Sequence, residues 1–266
     1  MKLSSSIYLI YFILILPFFA CGKDENTTEN NTPTKTYIDT TICTTDGTLT
    51  YGEYKIINNC WGKGNIQDFT QCVYIKEKEN EYTFGFNWYW QSGVNNDVKA
   101  YPEILFGFKP FDTKSTTTKL PVKISEGKKI IASFSSISTT FTGTGNTAFD
   151  IWITSSSTPA QSNITREIMI WTKNYGQSAG GSKVATVNID NVNFDFYKAD
   201  WNWTYLAFVI KDNIDYKTIN IHKFVEYLVT NGYIANSEYL ASVEFGNEVI
   251  QGQGSTKITN FKVVVE

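Results

Sequence analysis

Two glutamates lie in segments that would present a carboxylate on the surface of a β-sheet. Glu167 belongs to residues 165–171, in which Glu167, Met169 and Trp171 alternate with two isoleucines and share one face of a strand. Glu248 ends a second β-rich run. Hydrolysis of a glycosidic bond needs one carboxylate that attacks and one carboxyl group that donates a proton, with aromatic side chains nearby. The pair therefore indicates an enzyme.

A further strand-like segment has the same division between its two faces. Asn146, Asp150 and Trp152 fall on one face, and Phe149 and Ile151 fall on the other. Two strands would then offer polar and aromatic groups to one groove. Lectins also use sheets of this kind, so the face pattern alone does not separate catalysis from sugar binding.

Composition restricts the class of function. The chain has 266 residues, a formal net charge of −3, 15% aromatic residues and a single histidine, His222. One histidine excludes a multi-histidine metal site or a histidine-driven relay of the usual sort, and a chain without a basic cluster has no electrostatic surface for nucleic acid. We therefore predict no metal, no cofactor and no nucleic-acid partner, so acid and base work falls to carboxylates.

The beginning of the chain resembles a secretory leader. Residues 1–20 contain Lys2 and an apolar run too short to span a bilayer comfortably, which predicts a signal peptide. Cys21 follows Ala20 as in a lipoprotein processing site, and an acidic segment comes next. We predict lipidation at Cys21, with no other membrane contact, on an outer-membrane lipoprotein exposed at the cell surface. A plain secreted protein with an ordinary cysteine is the alternative.

Residues 21–38 form the predicted tether, because their Asn, Thr, Glu, Pro and Lys cannot bury enough apolar surface to become ordered. Residues 39–266 read as one domain of short strands rich in Val, Ile, Thr, Tyr, Phe and Trp, separated by Gly, Asn and Ser clusters. The pattern predicts an all-β jelly-roll sandwich of two antiparallel sheets with a concave cleft. We expect a monomer.

One segment has helical rather than strand periodicity. Ile221, Phe224 and Leu228 recur at helical spacing, Thr218 can cap the helix, and Asn231 with the following glycine can end it. We predict one helix packed against the outside of the sandwich.

Several motifs together resemble glycoside hydrolase family 12, the endoglucanase and xyloglucanase family. They are Asn58-Asn59-Cys60-Trp61-Gly62, Trp88-Tyr89-Trp90, Glu167-Ile168-Met169-Ile170-Trp171 and Phe245-Gly246-Asn247-Glu248. Their order and spacing match over residues 39–266. The resemblance implies a retaining endo-acting enzyme that cleaves internal β-1,4-glucosidic bonds of cellulose-type glucans. A xyloglucan-specific enzyme is the close variant, and a non-catalytic carbohydrate-binding jelly roll is the rival from another class.

The resemblance also implies roles for individual residues. Glu167 is the expected nucleophile, Glu248 the acid/base, and Asp150 the aspartate beside the nucleophile. Asn59, Asn146 and Met169 match active-site positions of the family, so we expect them to contact substrate. Electrostatics agree with these roles, because a negative Glu167 favours a proton on Glu248 and Asp150 can hold Glu167 by a hydrogen bond.

Aromatic residues supply the candidate sugar-binding surfaces. Trp61, behind Asn59, matches the family's sugar platform, with core packing as the alternative reading. Trp171 shares a face with Glu167, and Trp90 lies either in the cleft or between the sheets. The sequence leaves four tryptophans without an assigned place: Trp88, Trp152, Trp201 and Trp203.

The cysteines fit an oxidising compartment, where one disulfide is plausible. The resemblance implies a bridge between Cys43 and Cys72. Cys60 occupies a position that is often apolar in the family, so we expect a free and mostly buried thiol.

Overall fold

The computed structural model of the chain describes residues 37–79, 81–93, 95–214 and 217–266. The predicted signal peptide at residues 1–20, the predicted lipidation site Cys21 and nearly all of the predicted tether lie outside the described residues. Within the described ranges, no helix is long and apolar enough to cross a membrane.

Strands dominate the described chain, as the short β-rich runs predicted. In chain order the strands are β1 Ile38–Ile42, β2 Thr48–Tyr51, β3 Tyr54–Ile57, β4 Phe69–Lys78, β5 Glu81–Trp90, β6 Glu103–Gly107, β7 Val122–Lys123, β8 Ile130–Ser133, β9 Ser136–Thr154, β10 Ile164–Tyr175, β11 Ser182–Ile189, β12 Val192–Asp200, β13 Thr204–Ile210, β14 Thr218–Asn220, β15 Tyr239–Gly246, β16 Val249–Thr259 and β17 Lys262–Val265. Short 3₁₀ turns occur at Ile124–Glu126 and Gln161–Asn163, and the helix α1 is Ile221–Thr230.

Most of the strands form the two layers of a jelly roll, which confirms the predicted fold, and β14, β8 and β17 form a separate three-stranded sheet. One layer has the order β1-β4-β5-β16-β9, and the other has the order β2-β3-β6-β15-β9-β10-β13-β12-β11. The 19-residue strand β9 joins them, because residues 136–145 pair with β16 and residues 145–154 pair with β10. We call the second layer the cleft sheet. Its β10–β13 pair is parallel, whereas the other pairs described for the strands are antiparallel.

The core lies between the two layers. Alternate residues of the central strands point into it, among them Phe149 and Ile151 of β9, Ile168 and Ile170 of β10, and Phe245 of β15, each with 0% exposure. Burial of one such side chain contributes about 1.5–3 kcal/mol to stability. Because side chains alternate along a strand, the intervening positions face outward from the cleft sheet.

The predicted helix is present but begins later. It packs against the core face of the cleft sheet and not, as predicted, against the outside of the sandwich, because its apolar side belongs to the core cluster. Asn220 occupies the N-cap position, and Asn231 follows the last turn as predicted. The prediction that Thr218 caps the helix is wrong, because Thr218 pairs with Ser133 in β14. Phe224 fixes the helix against β12 and β13 through edge contacts with two phenylalanines, at 5.2 and 5.1 Å between ring centroids.

The predicted cysteine chemistry is confirmed. Cys43, just after β1, is bridged to Cys72 of β4. Closing this loop restrains the unfolded chain and contributes about 3–4 kcal/mol in the chain-entropy account. Cys60 is free and buried, and burial raises the pKa of its thiol to about 12. It is therefore an inert side chain of the core.

Candidate active site

The outward face of the cleft sheet gathers carboxylates from three neighbouring strands. Asp150 of β9 lies opposite Glu244 of β15 on one side and Met169 of β10 on the other. Glu167 lies opposite Trp152 of β9 and Tyr205 of β13. The alternation in β9 and β10 therefore places Asp150 and Glu167 on one face, as predicted from the sequence.

Glu167 is partly buried and held by an indole. Trp203, immediately before β13, donates a hydrogen bond of 2.6 Å from Nε1 to Oε2 of Glu167. The Trp203 ring is itself fixed by an edge contact with Trp152, at 5.2 Å between centroids. Burial raises the pKa of Glu167 to about 7, the Trp203 hydrogen bond opposes that rise, and the nearby charge of Glu248 adds to it.

Glu248 follows β15 and receives two hydrogen bonds on one oxygen. Gln177 Nε2 donates to Oε2 at 2.7 Å, and Asn146 Nδ2 donates to the same Oε2. Asn146 Oδ1 also accepts the backbone N–H of Glu248 at 3.2 Å, which fixes the orientation of the amide. Burial raises the pKa of Glu248, and the hydrogen bonds from Gln177 and Asn146 oppose the rise. With both side-chain bonds on Oε2, Oε1 is the oxygen suited to carry a proton.

Asp150 is a buried carboxyl group without the predicted hydrogen bond to Glu167. It is 6% exposed, and its Oδ1 has no hydrogen-bond partner. Asp150 lies opposite Met169, one pleat away from Glu167, and the carboxylate of Glu167 is bonded to Trp203 instead. Burial and then the charge of Glu167 raise the pKa of Asp150 well above its usual range.

A buried ion cluster lies beside Asp150. Lys109 Nζ donates to Glu103 Oε1 at 2.9 Å and to Glu244 Oε2 at 2.5 Å, and both glutamate side chains are fully buried. Asn59 Nδ2 donates to Glu103 Oε1 at 2.9 Å, and Ser242 donates to Glu244 at 3.0 Å. The carboxylates raise the pKa of Lys109 although burial opposes its charge. The cluster connects the loop after β3 to the strand beside Asp150.

Comparisons with known proteins agree with this geometry. A family model described as "Glycosyl hydrolase family 12" matches residues 52–266. The chain belongs to glycosyl hydrolase family 12. It is therefore a glycoside hydrolase, which confirms the resemblance found in the sequence.

Three related proteins illustrate the similarity. The chain is 31% identical over 222 residues to "Endoglucanase S" of Pectobacterium parmentieri, covering 80% of this chain and 82% of that protein. It is 30% identical over 220 residues to "Xyloglucan-specific endo-beta-1,4-glucanase 1" of Phytophthora nicotianae (strain INRA-310), covering 80% and 83%. Among solved structures, the family 12 xyloglucanase from Bacillus licheniformis superimposes with a TM-score of 0.78 at 29% identity, covering 85% of this chain and 100% of that one.

Of the predicted aromatic surfaces, Trp61 is the one that is open to solvent. It follows β3 and is 65% exposed. The preceding Asn59 is bonded to Glu103 and adopts a positive φ of 39°, which turns the chain sharply before Trp61. The alternative, core packing of Trp61, is not what the structure shows.

The prediction that Trp90 contacts substrate is wrong. Trp90 is 1% exposed and stacks on Phe69 with 4.2 Å between ring centroids. Its Nε1 donates to Gln71 Oε1 at 2.9 Å. Trp90 and Trp88 both lie on the core side of β5, because the other layer covers that face.

Met169, Trp171 and Asn146 are at the site but are not surfaces for sugar. Trp171 is 0% exposed and Met169 is 2% exposed, within one apolar cluster under the cleft face. The Met169 sulfur accepts a hydrogen bond from Tyr205 at 3.4 Å. Asn146 is fully buried and bonded to Glu248. Their burial argues against the predicted contact with substrate: Asn146 instead holds Glu248, and Met169 and Trp171 pack beneath the cleft face.

Sequence reasoning missed the two side chains that hold the glutamates. Trp203 was left unassigned, and Gln177 was not a candidate. Trp203 reaches Glu167 across the parallel β10–β13 pair, and Gln177 reaches Glu248 from the turn after β10. Their only signal in the sequence was residue type, a tryptophan in a polar turn and a glutamine in a glycine-rich loop.

Proposed function

We propose that this family 12 member is a retaining endo-β-1,4-glucanase in which Glu167 attacks the sugar and Glu248 transfers the proton. The observation that carries the assignment is the different hydrogen bonding of the two glutamates. Glu167 Oε2 accepts from one indole, whereas Glu248 Oε2 accepts from two amides. In each carboxyl group the other oxygen, Oε1, is thus available to react with the substrate.

The first step forms a covalent glycosyl-enzyme. Glu167 Oε1 attacks the anomeric carbon and forms a C–O ester bond while the glycosidic C–O bond breaks. Glu248 Oε1 gives its proton to the departing glycosidic oxygen, which leaves as the hydroxyl group of the shortened chain. Trp203 holds Glu167 Oε2 so that Oε1 is the attacking atom.

The second step restores the enzyme. A water molecule gives a proton to Glu248 as its oxygen attacks the anomeric carbon, and the ester bond to Glu167 breaks. Repulsion between the two carboxylates explains why Glu248 can change from acid to base. Once Glu167 is an ester its charge is gone, so the pKa of Glu248 falls and the deprotonated form is favoured.

Two substrate classes follow from the relatives. Cellulose-type glucan is the primary proposal, because an exposed Trp61 indole suits the C–H face of an unbranched glucose unit. Xyloglucan is the second candidate, supported by similarity to a xyloglucan-specific relative and to a xyloglucanase structure. Initial rates of purified enzyme on cellulose derivatives, mixed-linkage glucan and xyloglucan distinguish the two. A higher rate on xyloglucan than on both unbranched polymers would overturn the primary proposal.

We further propose that the enzyme acts as a monomer at the cell surface, anchored through lipid on Cys21. The support is the leader sequence and the polar tether that follows it. Replacement Cys21→Ala should move the protein from the membrane fraction to the soluble fraction of an expressing bacterium. An unchanged distribution would contradict the anchor, and elution at twice the monomer mass in gel filtration would contradict the monomer.

Azide rescue tests the assignment of the two glutamates. We expect Glu167→Ala and Glu248→Ala both to lose nearly all activity on a β-glucan. With an aryl β-cellobioside and sodium azide, the Glu248 variant should yield the β-glycosyl azide because the ester on Glu167 still forms. The Glu167 variant should yield the α-glycosyl azide because azide takes the place of the nucleophile. Exchanged products would reverse the roles, and a wild-type protein that hydrolyses no glucan would favour the binding-module rival.

A further inference from the structure

Trp201 presents a second large exposed aromatic surface on the turn that also carries Trp203. Trp201 lies between β12 and β13 and is 59% exposed. Its backbone N–H donates to the carbonyl of Trp203 at 3.0 Å. Because Trp203 is bonded to Glu167, the turn fixes Trp201 relative to the proposed nucleophile.

The indole of Trp201 lies on the cleft face of the sheet. It stacks on Tyr205 with 5.0 Å between ring centroids and 29° between the ring planes. Tyr205 is opposite Glu167 in the β10–β13 register, and its hydroxyl group donates to the Met169 sulfur. Trp201 therefore covers the strand next to Glu167, with its outer surface open to solvent.

Gly180 keeps the edge of Trp201 free of steric conflict. A Cβ atom at Gly180 would lie 2.5 Å from the Trp201 ring, so a larger residue would displace the indole. Gly180 belongs to the same loop as Gln177, which donates to Glu248. The loop that holds one catalytic carboxyl group thus also borders Trp201.

Trp61 and Trp201 lie at opposite ends of the strand order. Trp61 follows β3, and the sheet continues from β3 through β6, β15, β9 and β10 to β13 and β12. Glu167 on β10 and Glu248 after β15 come between the two indoles. A glucan lying across the strands would pass both carboxylates between one indole and the other.

Burial does not explain Trp201. Large aromatic side chains contribute to stability by being buried, and this ring leaves most of its surface in water. Other exposed aromatic rings fit a sugar platform less well: Phe111 is engaged in a perpendicular contact with Trp152, and Tyr37 and Tyr89 belong to the other layer.

We propose that Trp201 is a second sugar platform, which binds an unbranched stretch of β-1,4-linked glucose at the end of the cleft opposite Trp61. The ligand surface is the C–H face of a glucose ring, which stacks on the open side of the indole. The inference rests on the proposed function, since it takes Trp61 as the platform at the other end.

Cleavage of cellohexaose with ¹⁸O at the reducing end tests the proposal. Mass spectrometry of the products shows which glycosidic bond is cut. Trp201→Ala and Trp61→Ala each remove one platform, so they should shift the preferred bond in opposite directions. We expect Trp201→Ala also to lower kcat/KM on cellohexaose about tenfold, which corresponds to about 1.4 kcal/mol of lost transition-state stabilisation. Trp201→Phe keeps a flat ring and should give an intermediate shift.

A merely structural role gives a different result. If Trp201 acts only by holding the turn, its loss disturbs Trp203 and moves the pH profile of kcat/KM while the preferred bond stays the same. That result, an unchanged cleavage pattern, or shifts in the same direction for both alanine variants would overturn the proposal. Failure of the wild-type enzyme to cut cellohexaose would instead overturn the proposed function on which the inference rests.

Discussion

Trp203 donates a 2.6 Å hydrogen bond from its indole nitrogen to Oε2 of Glu167, across the parallel pair of strands β10 and β13. The donor stabilises the carboxylate, and burial favours the protonated form. The balance of these two effects sets the pH at which Glu167, the proposed nucleophile, becomes ionised.

Trp203→Phe should shift the acid limb of the kcat/KM profile to higher pH. Loss of the donor raises the pKa of Glu167 above about 7, so a larger fraction stays protonated. A hydrogen bond to a charged group is worth about 1.5–3 kcal/mol, which corresponds to a shift of about one pH unit or more. Rates measured from pH 4 to pH 9 check this, with Trp88→Phe in the core as the control. An acid limb at the wild-type pH in Trp203→Phe would show that the bond does not tune Glu167.

Gln177→Met should shift the alkaline limb of the kcat/KM profile. Gln177 donates to the deprotonated Oε2 of Glu248 and so lowers the pKa of that group. Without this donor, Glu248 keeps its proton to higher pH. The alkaline limb of the kcat/KM profile should therefore shift to higher pH by up to about one unit. Ser178→Ala, an exposed change in the same loop, is the matched control. A shift of the alkaline limb to lower pH would contradict the claim that Gln177 lowers the pKa of Glu248.

Glu167→Gln should lose nearly all turnover, retain glucan binding and gain stability at alkaline pH. The folded-state pKa of about 7 exceeds the usual 4.5, so the folded protein binds this proton more tightly than the unfolded chain does. Stability contributed by the protonated group is present below about pH 4.5 and is lost as the pH rises towards 7. Glutamine has no charge to bury.

The variant should therefore exceed the wild type by about 3 kcal/mol at pH 8, or about 6–12 °C in Tm, and show no gain near pH 4. Thermal unfolding at both pH values measures the difference. Glu226→Gln, an exposed glutamate on α1, is the control and should leave Tm nearly unchanged. Equal gains for Glu167→Gln at pH 4 and pH 8 would exclude the ionisation of Glu167 as the cause.

Local periodicity explains why much of the site could be predicted. Alternation within β9 and β10 is a property of the strand itself, so Asp150 and Glu167 could be placed on one face before the fold was known. Alternation does not say which face a second layer will cover. Trp90 was therefore misplaced, since its face of β5 is the buried one.

Contacts that depend on topology could not be predicted. Trp203 meets Glu167 only because β13 runs parallel to β10, and a parallel pair leaves no short-range signal in the chain. The same is true of the buried ion cluster, in which Glu103, Lys109 and Glu244 meet from segments up to 141 residues apart in sequence. The spacing of these three residues in the sequence does not match a motif that would have predicted their contact.

Lys109→Met should strongly destabilise the fold. The substitution leaves Glu103 and Glu244 buried without their shared cation. Breaking a buried ion pair in this way costs about 3–5 kcal/mol. Urea unfolding measures the loss, and Lys223→Met, which breaks the exposed pair with Glu226, should cost less than about 1 kcal/mol. Equal losses in the two variants would mean that burial of the Lys109 cluster has no energetic consequence.

Trapping of the glycosyl-enzyme tests the central claim most directly. A 2-deoxy-2-fluoro cello-oligosaccharide with an activated leaving group forms the ester bond but hydrolyses it slowly, because the fluorine destabilises both transition states. Proteolysis and mass spectrometry then locate the sugar. We predict one adduct, on the carboxylate of Glu167, in the wild type and in Glu248→Gln. An adduct on Glu248 or Asp150, or an inactivated enzyme without a covalent sugar, would contradict the roles assigned to Glu167 and Glu248.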